Sequence, residues 1–306
     1  MAAYVGLQEQ IRRNNFKSTL ILAAFPLLVL VGVYAVFFFM FGGKEGIDIV
    51  NEKFIKTIPF VIAGVLVWFL IAFYANSAMI QMATHSRPLE RKENMRIYNL
   101  TENLCMSIGM KMPKLFIIDS PALNAFASGI NEKTYAVTLT TGIIEKLNDE
   151  ELEGVIAHEL THIRNKDVRL LIISIIFVGI FAFIVDILFR NLLYGGRRNK
   201  NEDNKLIIIA LLVSAVAYFL SILFKFALSR RREYLADAGA VELTKNSHAL
   251  ASALRKISGR SEVESVSSED VKQMFIEHKA LDGSGIMSLF ATHPPIEKRI
   301  AVLEQM

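Results

Sequence analysis

Four long apolar runs constrain this 306-residue chain more than any other feature. They are Ser18 to Phe41, roughly Ile58 to Ile80, Val168 to Phe189 and Leu206 to Leu228. A helix needs about 20 apolar residues to cross a bilayer, and each run meets that length. One such run can be a buried core helix, but four in one chain argue for a membrane protein. The composition agrees: 53% of residues are hydrophobic and only 21% are charged. That profile excludes disorder and a disulfide scaffold. The single cysteine, Cys105, excludes an internal disulfide and any cysteine-based zinc knuckle. The net charge of +4 is mild, and the basic residues flank apolar runs instead of forming a stripe, so no nucleic-acid partner is expected.

The first run follows a short basic tail (Arg12, Arg13, Lys17) but exceeds the apolar length of a signal peptide and lacks a clear cleavage site, so it reads as a retained span. Four spans place the N-terminal tail, residues 81–167 and residues 229–306 on one side. Arg12, Arg13, Arg87, Arg91, Lys92, Arg96, Arg164, Lys166 and Arg230 to Arg232 mark that side as cytoplasmic. The opposite loop, 190–205, runs against this with Arg190, Arg197, Arg198, Lys200 and Lys205. Asp186 and Lys225 lie near run ends, where snorkelling accounts for them. The expected organisation is residues 1–83 as tail and spans one and two, 84–167 as the first part of a soluble domain, 168–228 as a membrane hairpin, and 229–306 as the domain's second part.

In the first soluble part, Ile97, Leu100, Leu104 and Ile108 fall on one face of a helix spanning residues 89–110. Lys114 to Ile118, Asn124 to Ser128 and Tyr135 to Thr140 read as strands, the last two around a Gly129–Lys133 turn. Gly142 to Leu147 reads as a short helix. Asn148, with Glu151 three residues on and an acidic first turn between, starts the next helix as a capping box.

That helix carries His158-Glu159-Leu160-Thr161-His162, an HExxH sequence. Positions i and i+4 share one helix face, so both imidazoles reach one point in space. The donors suit Zn²⁺, and the adjacent Glu159 is placed to act on water as a general base. A catalytic zinc takes a third protein ligand, and Asn165 and Val168 rule out the extended motif that would supply it locally. Glu233 is the best candidate. It and Asp237 stand at i and i+4, so one carboxylate can bind metal while the other orients a ligand histidine. His162 lies six residues before the third run and Glu233 five after the fourth, roughly 9 and 7.5 Å along continuous helices. A hairpin of spans three and four would bring both to one membrane face.

With these features in hand the chain resembles the HtpX-type membrane zinc metallopeptidases, of the superfamily that contains the CaaX prenyl-protein endopeptidase. The resemblance rests on the spans together with AHELTHIRNKD (157–167), RREYLADAGA (231–240) and LFATHPPIEKRI (289–300). It implies an α-helical integral membrane protein with four transmembrane helices and a mixed α+β, zincin-like peptidase domain carrying HExxH on a helix. One Zn²⁺ per chain would be held by His158, His162 and Glu233, with Glu159 as base and Asp237 supporting the ligands. By the same resemblance His293 faces the oxyanion, Arg299 matches a family arginine, and Asn124-Ala125-Phe126-Ala127 is an edge strand that pairs with extended substrate. The plainer readings are that Thr292 or His293 caps the last helix and that Arg299 makes a salt bridge. His85, His248 and His278 read as surface residues, and residues 258–285 as a lid or a loop.

The implied activity is hydrolysis, by zinc-activated water, of membrane or misfolded proteins in envelope quality control and stress response, from the cytoplasmic side of a bacterial inner membrane. Two alternatives are a non-enzymatic scaffold or chaperone with a structural zinc, which would not need Glu159, and a CaaX-type processing enzyme, for which four spans are few.

Overall fold

The computed structural model describes residues 7–41, 46–173, 230–266, 274–277 and 294–306, with positions 175, 190, 211, 215, 218 and 272. The third and fourth apolar runs, loop 190–205 and His293 therefore lie essentially outside the described residues. The chain divides into two compact units, one of Phe16–Tyr74 with Ile173–Lys225, the other of Met1–Asn15, Ala75–Ile172 and Phe226–Met306.

The first two runs are continuous helices, α1 (Leu7–Phe41) and α2 (Ile47–Thr84). Among the described residues α2 is the one helix long and apolar enough to cross a membrane, with a mean hydropathy of 2.4 in its most apolar window. Phe60, Leu66, Val67, Leu70, Ile71 and Tyr74 along it are exposed, as suits a helix whose outward face meets lipid instead of water. In α1 the apolar stretch is shorter, Pro26–Phe38.

The second unit is a four-stranded sheet with helices. Strands β1 (Arg87–Pro88), β2 (Lys114–Ile118), β3 (Ala125–Ser128) and β4 (Ala136–Thr140) stand in the order β1-β2-β4-β3. β2 and β4 run parallel; β1 and β3 are antiparallel to their neighbours. All three strands expected from sequence form. β1 carries no pattern of its own, since two residues cannot alternate, and Pro88 is tolerated because it sits at the sheet edge. Gly129 makes the β3–β4 turn at φ +105°, with Thr134 backbone so close that a side chain would overlap it.

Helix α3 is shorter than expected, Met95–Ser107, because Asn94 caps it by accepting from Ile97 N–H. Its buried stripe is Ile97, Thr101, Leu104 and Cys105, with Leu100 only half-buried. A short helix α4 (Thr141–Lys146) leads to α5 (Asp149–Arg164), the HExxH helix. Its capping box forms as expected: Asn148 accepts from Glu151 N–H at 2.9 Å, and Glu151 accepts from Asn148 N–H at 3.0 Å. Lys256 and Ser252, at 2.6 and 2.7 Å, hold the same carboxylate. Leu152, Val155, Ile156 and Leu160 are fully buried and anchor α5 in the core.

Helix α6 (Arg230–Thr244) packs along α5, with Gly239 set against the Thr161 side chain. A methyl there would collide with the Thr161 side chain, so only glycine lets the two helices bring their polar residues together. Helices α7 (Ser247–Ile257) and α8 (Ile296–Leu303) complete the unit. The N-cap of α8 is Pro295, which makes no side-chain cap bond, while Thr292 and His293 lie outside the described residues. A correction concerns the end of α5. The helix does not run straight on from His162 into the third run, because Lys166 takes φ +60° and turns the chain.

Candidate metal centre and catalytic residues

The spacing on α5 places His158 and His162 with their Nε2 atoms 3.1 Å apart and their rings nearly perpendicular, at 87°. From α6, Glu233 approaches both: one oxygen lies 3.7 Å from His158 Nε2, the other 3.6 Å from His162 Nε2. The three residues form a group able to hold a metal ion, with ligand atoms within 4.8 Å of one another. Two atoms that each bind a tetrahedral ion at about 2.0–2.1 Å stand about 3.3 Å apart. The observed separations bracket that distance, so the donor set fits such an ion after shifts of a few tenths of an ångström.

Asp237 and Glu233, expected from sequence as supporting residue and third ligand, have distinct positions. Asp237 Oδ1 lies 2.9 Å from His158 Nδ1, on the side of the ring facing away from His162. Asp167 does the same for His162, its Oδ2 3.2 Å from Nδ1. A carboxylate beside each Nδ1, hydrogen-bonded at His162 and in ion-pair contact without an aligned hydrogen bond at His158, favours the ring proton there and turns both Nε2 atoms to the shared space. Asp167 was missed from sequence although it closes the 157–167 segment. The only signal was an acid just past the helix end, and the turn at Lys166 is what folds it back.

Arg299, from α8, is 1% exposed. It donates from Nε and Nη2 to the two oxygens of Asp237, at 2.9 and 2.7 Å, and from Nη1 to the Ile276 carbonyl at 3.0 Å. Nη1 also lies 3.4 Å from Glu233. The plain reading of Arg299 as a salt-bridging residue therefore holds, with the bridge ending on the carboxylate that orients His158. A bidentate guanidinium is the geometry that best balances a buried carboxylate. Replacing it by methionine should leave Asp237 and Glu233 without their balancing cation and destabilise the fold by about 3–5 kcal/mol. Thermal unfolding of the detergent-solubilised variant beside wild type measures this.

Glu159 is 2% exposed. Burial raises its carboxyl above the ordinary carboxylate range, against the pull of His158 and His162, and the Ala127 N–H holds one oxygen. That contact ties the expected base to β3. Burial disfavours a charged His158, but hydrogen bonds to Asp237 and then Glu233 outweigh it and raise the imidazole to about 9. Asp237 is also penalised by burial, yet Arg299 and His158 depress it to about 2.

These shifts have opposite pH signatures in protein stripped of metal. The His158 contribution to stability is complete below its ordinary 6.5 and is lost as pH rises through about 9. The Asp237 contribution is present above 3.8 and is lost as pH falls through about 2. A metal ion needs the neutral imidazole, so uptake near pH 7 should release about one proton per ion. Calorimetry in two buffers of different ionisation enthalpy counts it.

β3 is an edge strand, as expected, but its outer face is not bare. All four β3 residues stand in register with β4, Ala125 opposite Leu139 and Ala127 opposite Val137. Ala125 carbonyl accepts from Ile276 N–H at 2.9 Å, and Ala127 N–H is turned to Glu159. Asn124 sits at the strand's start, donating from Nδ2 to the Ser261 and Glu277 carbonyls at 2.7 and 3.0 Å. Phe126 is fully buried, edge-on to Phe275 with ring centroids 5.2 Å apart. The described parts of 258–285 thus pack on this edge. His85 and His248 are exposed and apart from the site, while His278 and His293 fall outside the described residues.

The fold agrees with the comparisons to known proteins. Peptidase family M48 matches residues 91–306. The chain belongs to peptidase family M48. Within it the chain is of the HtpX type. It is 57% identical to a protease HtpX homolog of Bacteroides fragilis, covering 99% of both chains. It is 38% identical to one of Ligilactobacillus salivarius, covering 98% of this chain and all of the other. The fold also resembles that of S. mikatae Ste24p, with a TM-score of 0.52 at 18% identity over 96% of this chain and 66% of that one. M48 membership makes the protein a membrane protease of a metallopeptidase family, acting on polypeptides. The group formed by His158, His162 and Glu233 is the candidate metal site within it.

Proposed function

We propose that this protein is a membrane-embedded zinc endopeptidase that cleaves membrane or misfolded proteins in envelope quality control, with the site facing the cytoplasm of a bacterial inner membrane. The observation that carries the proposal is the convergence of His158, His162 and Glu233 beside a buried Glu159. Zn²⁺ suits this nitrogen and oxygen donor set, and when bound it would supply Lewis acidity toward water and the substrate carbonyl.

The remaining work falls to the chain's own side chains. Asp237 and Asp167 hold the two imidazoles with Nε2 outward. Arg299 keeps Asp237 ionised. Glu159, buried and raised above the ordinary carboxylate range, accepts a proton at its carboxylate and returns one to the leaving amine. The backbone of Asn124 to Ala127 would align an extended substrate, reading main chain more than side chains, in competition with Ile276 at Ala125. His293 is proposed to support the oxyanion from beyond the described residues.

The test is hydrolysis of an unfolded fluorescent reporter by the full-length protein in detergent. Chelation should abolish cleavage and stoichiometric zinc should restore it. Cleavage untouched by chelation would defeat the metallopeptidase reading. Cleavage of a prenylated peptide, with the unfolded reporter intact, would replace quality control with a processing role.

A further inference from the structure

A cleft of about 860 Å³ opens where α5 ends, apart from the residues assigned above to catalysis. Lys111, Lys133, Arg164, Lys166 and Arg169 line it, with Glu132 the opposing charge on its wall. Like charges converge on a cleft at a cost unless an anion answers them. Arg164 is partly answered, through Nη2 to Glu242 at 3.1 Å. Yet the Nε atoms of both Arg164 and Arg169 are buried without a hydrogen-bond partner among the described residues. A guanidinium N–H taken out of water and left unmatched is a donor awaiting an acceptor.

The turn at Lys166 builds this arrangement. With φ +60° it breaks α5 and sets Lys166 and Arg169 beside Arg164, all three lining one cleft. The wall between the charges is apolar, formed by Ile108, Met110, Ile130 and Ile163. Tyr135 adds a half-buried ring with a polar end. A cleft that is cationic at one set of positions and greasy at another matches an amphiphile better than a free ion. Its size lies in the range of small-molecule sites. Arg169 is also the second residue of the apolar run that starts at Val168, so where that run enters a bilayer the cleft lies at headgroup level.

We propose that this cleft is a binding site for the phosphate headgroup of an anionic phospholipid. Arg164 and Arg169 bind the phosphate, Lys111, Lys133 and Lys166 supply the surrounding field, and the isoleucines and Met110 receive the start of the acyl chains. The site is separate from peptide hydrolysis and is tested without it.

Native mass spectrometry of the full-length protein in neutral detergent, titrated with dioleoylphosphatidylglycerol, should show one saturable lipid that dioleoylphosphatidylcholine does not displace. Removing Lys133 and Arg169 together as glutamines should weaken that binding roughly fivefold per charge, or about 25-fold. Lys92→Gln with Lys146→Gln changes net charge equally on exposed positions elsewhere and should alter it less than about twofold. If Arg169→Gln fails to fold, the exposed pair Lys111→Gln and Lys133→Gln carries the same comparison. Equal weakening by the control pair, or equal binding of the two lipids, overturns the proposal. So does inorganic phosphate that competes as well as the anionic lipid, which would make the site one for free phosphate.

Discussion

Glu159→Gln should lower hydrolysis of an unfolded reporter by roughly a hundredfold to ten-thousandfold, the range over which a positioned proton acceptor contributes. Metal content should stay at one per chain. The amide keeps the size of the side chain, and its oxygen can still accept from the Ala127 N–H that holds Glu159. What it loses is the ability to take up a proton. It does not touch the candidate donor set, whose atoms come from His158, His162 and Glu233. The variant therefore separates chemistry from assembly. Metal analysis and unfolding temperature should match wild type while turnover collapses. Turnover near wild type would remove Glu159 as base, and lost metal would make it a ligand or a structural residue instead.

Glu233→Ala should yield protein that is largely metal-free and inactive. The two imidazoles would keep their orientation through Asp237 and Asp167, but the site would lose the carboxylate that approaches both Nε2 atoms. Affinity should fall by more than the 10–100-fold typical of losing an orienting partner. The matched comparison is Asp237→Asn, which should fall within that range. Asparagine is preferable to alanine there because it keeps the side chain's size and one acceptor for Arg299; like alanine it removes the buried negative charge, so unfolding temperature is recorded alongside. Metal titration of the purified variants with a competing chelator gives both numbers. Stoichiometric metal and near-normal turnover in Glu233→Ala would move the ligand search to Asp237 or His293.

Much of the site was legible because it is written in local periodicities. The i, i+4 rule needs no tertiary contact to put His158 beside His162, or Glu233 on the same helix face as Asp237. The capping box at Asn148 is likewise complete within four residues, so the start of the HExxH helix could be read directly. Strands β2, β3 and β4 announced themselves through short apolar runs between turn formers. Where the reading slipped, the competing signal was also local but weaker. Asn94 stops α3 from starting at residue 89, and Lys166 turns a chain that hydropathy alone would carry straight into the third run.

The chain's own order of residues thus determined its membrane character, the HExxH helix and the two carboxylates that had to be near it, since hydropathy and helix spacing are properties of neighbours. Which carboxylate faces which nitrogen was decided by packing. Gly239 lets α6 approach α5 closely enough for Glu233 to face both Nε2 atoms, while Asp237 meets Nδ1 of His158. Asp167 reaches His162 only through the reversal at Lys166, and Arg299 reaches Asp237 from a helix 62 residues further along the chain. The partial occupation of the β3 edge by Ile276 is a contact of the same kind. A pairing between distant segments leaves no periodic trace in either one. Its energy comes from burying opposite charges and unpaired backbone groups together, and that becomes available only once the core has brought the segments into contact.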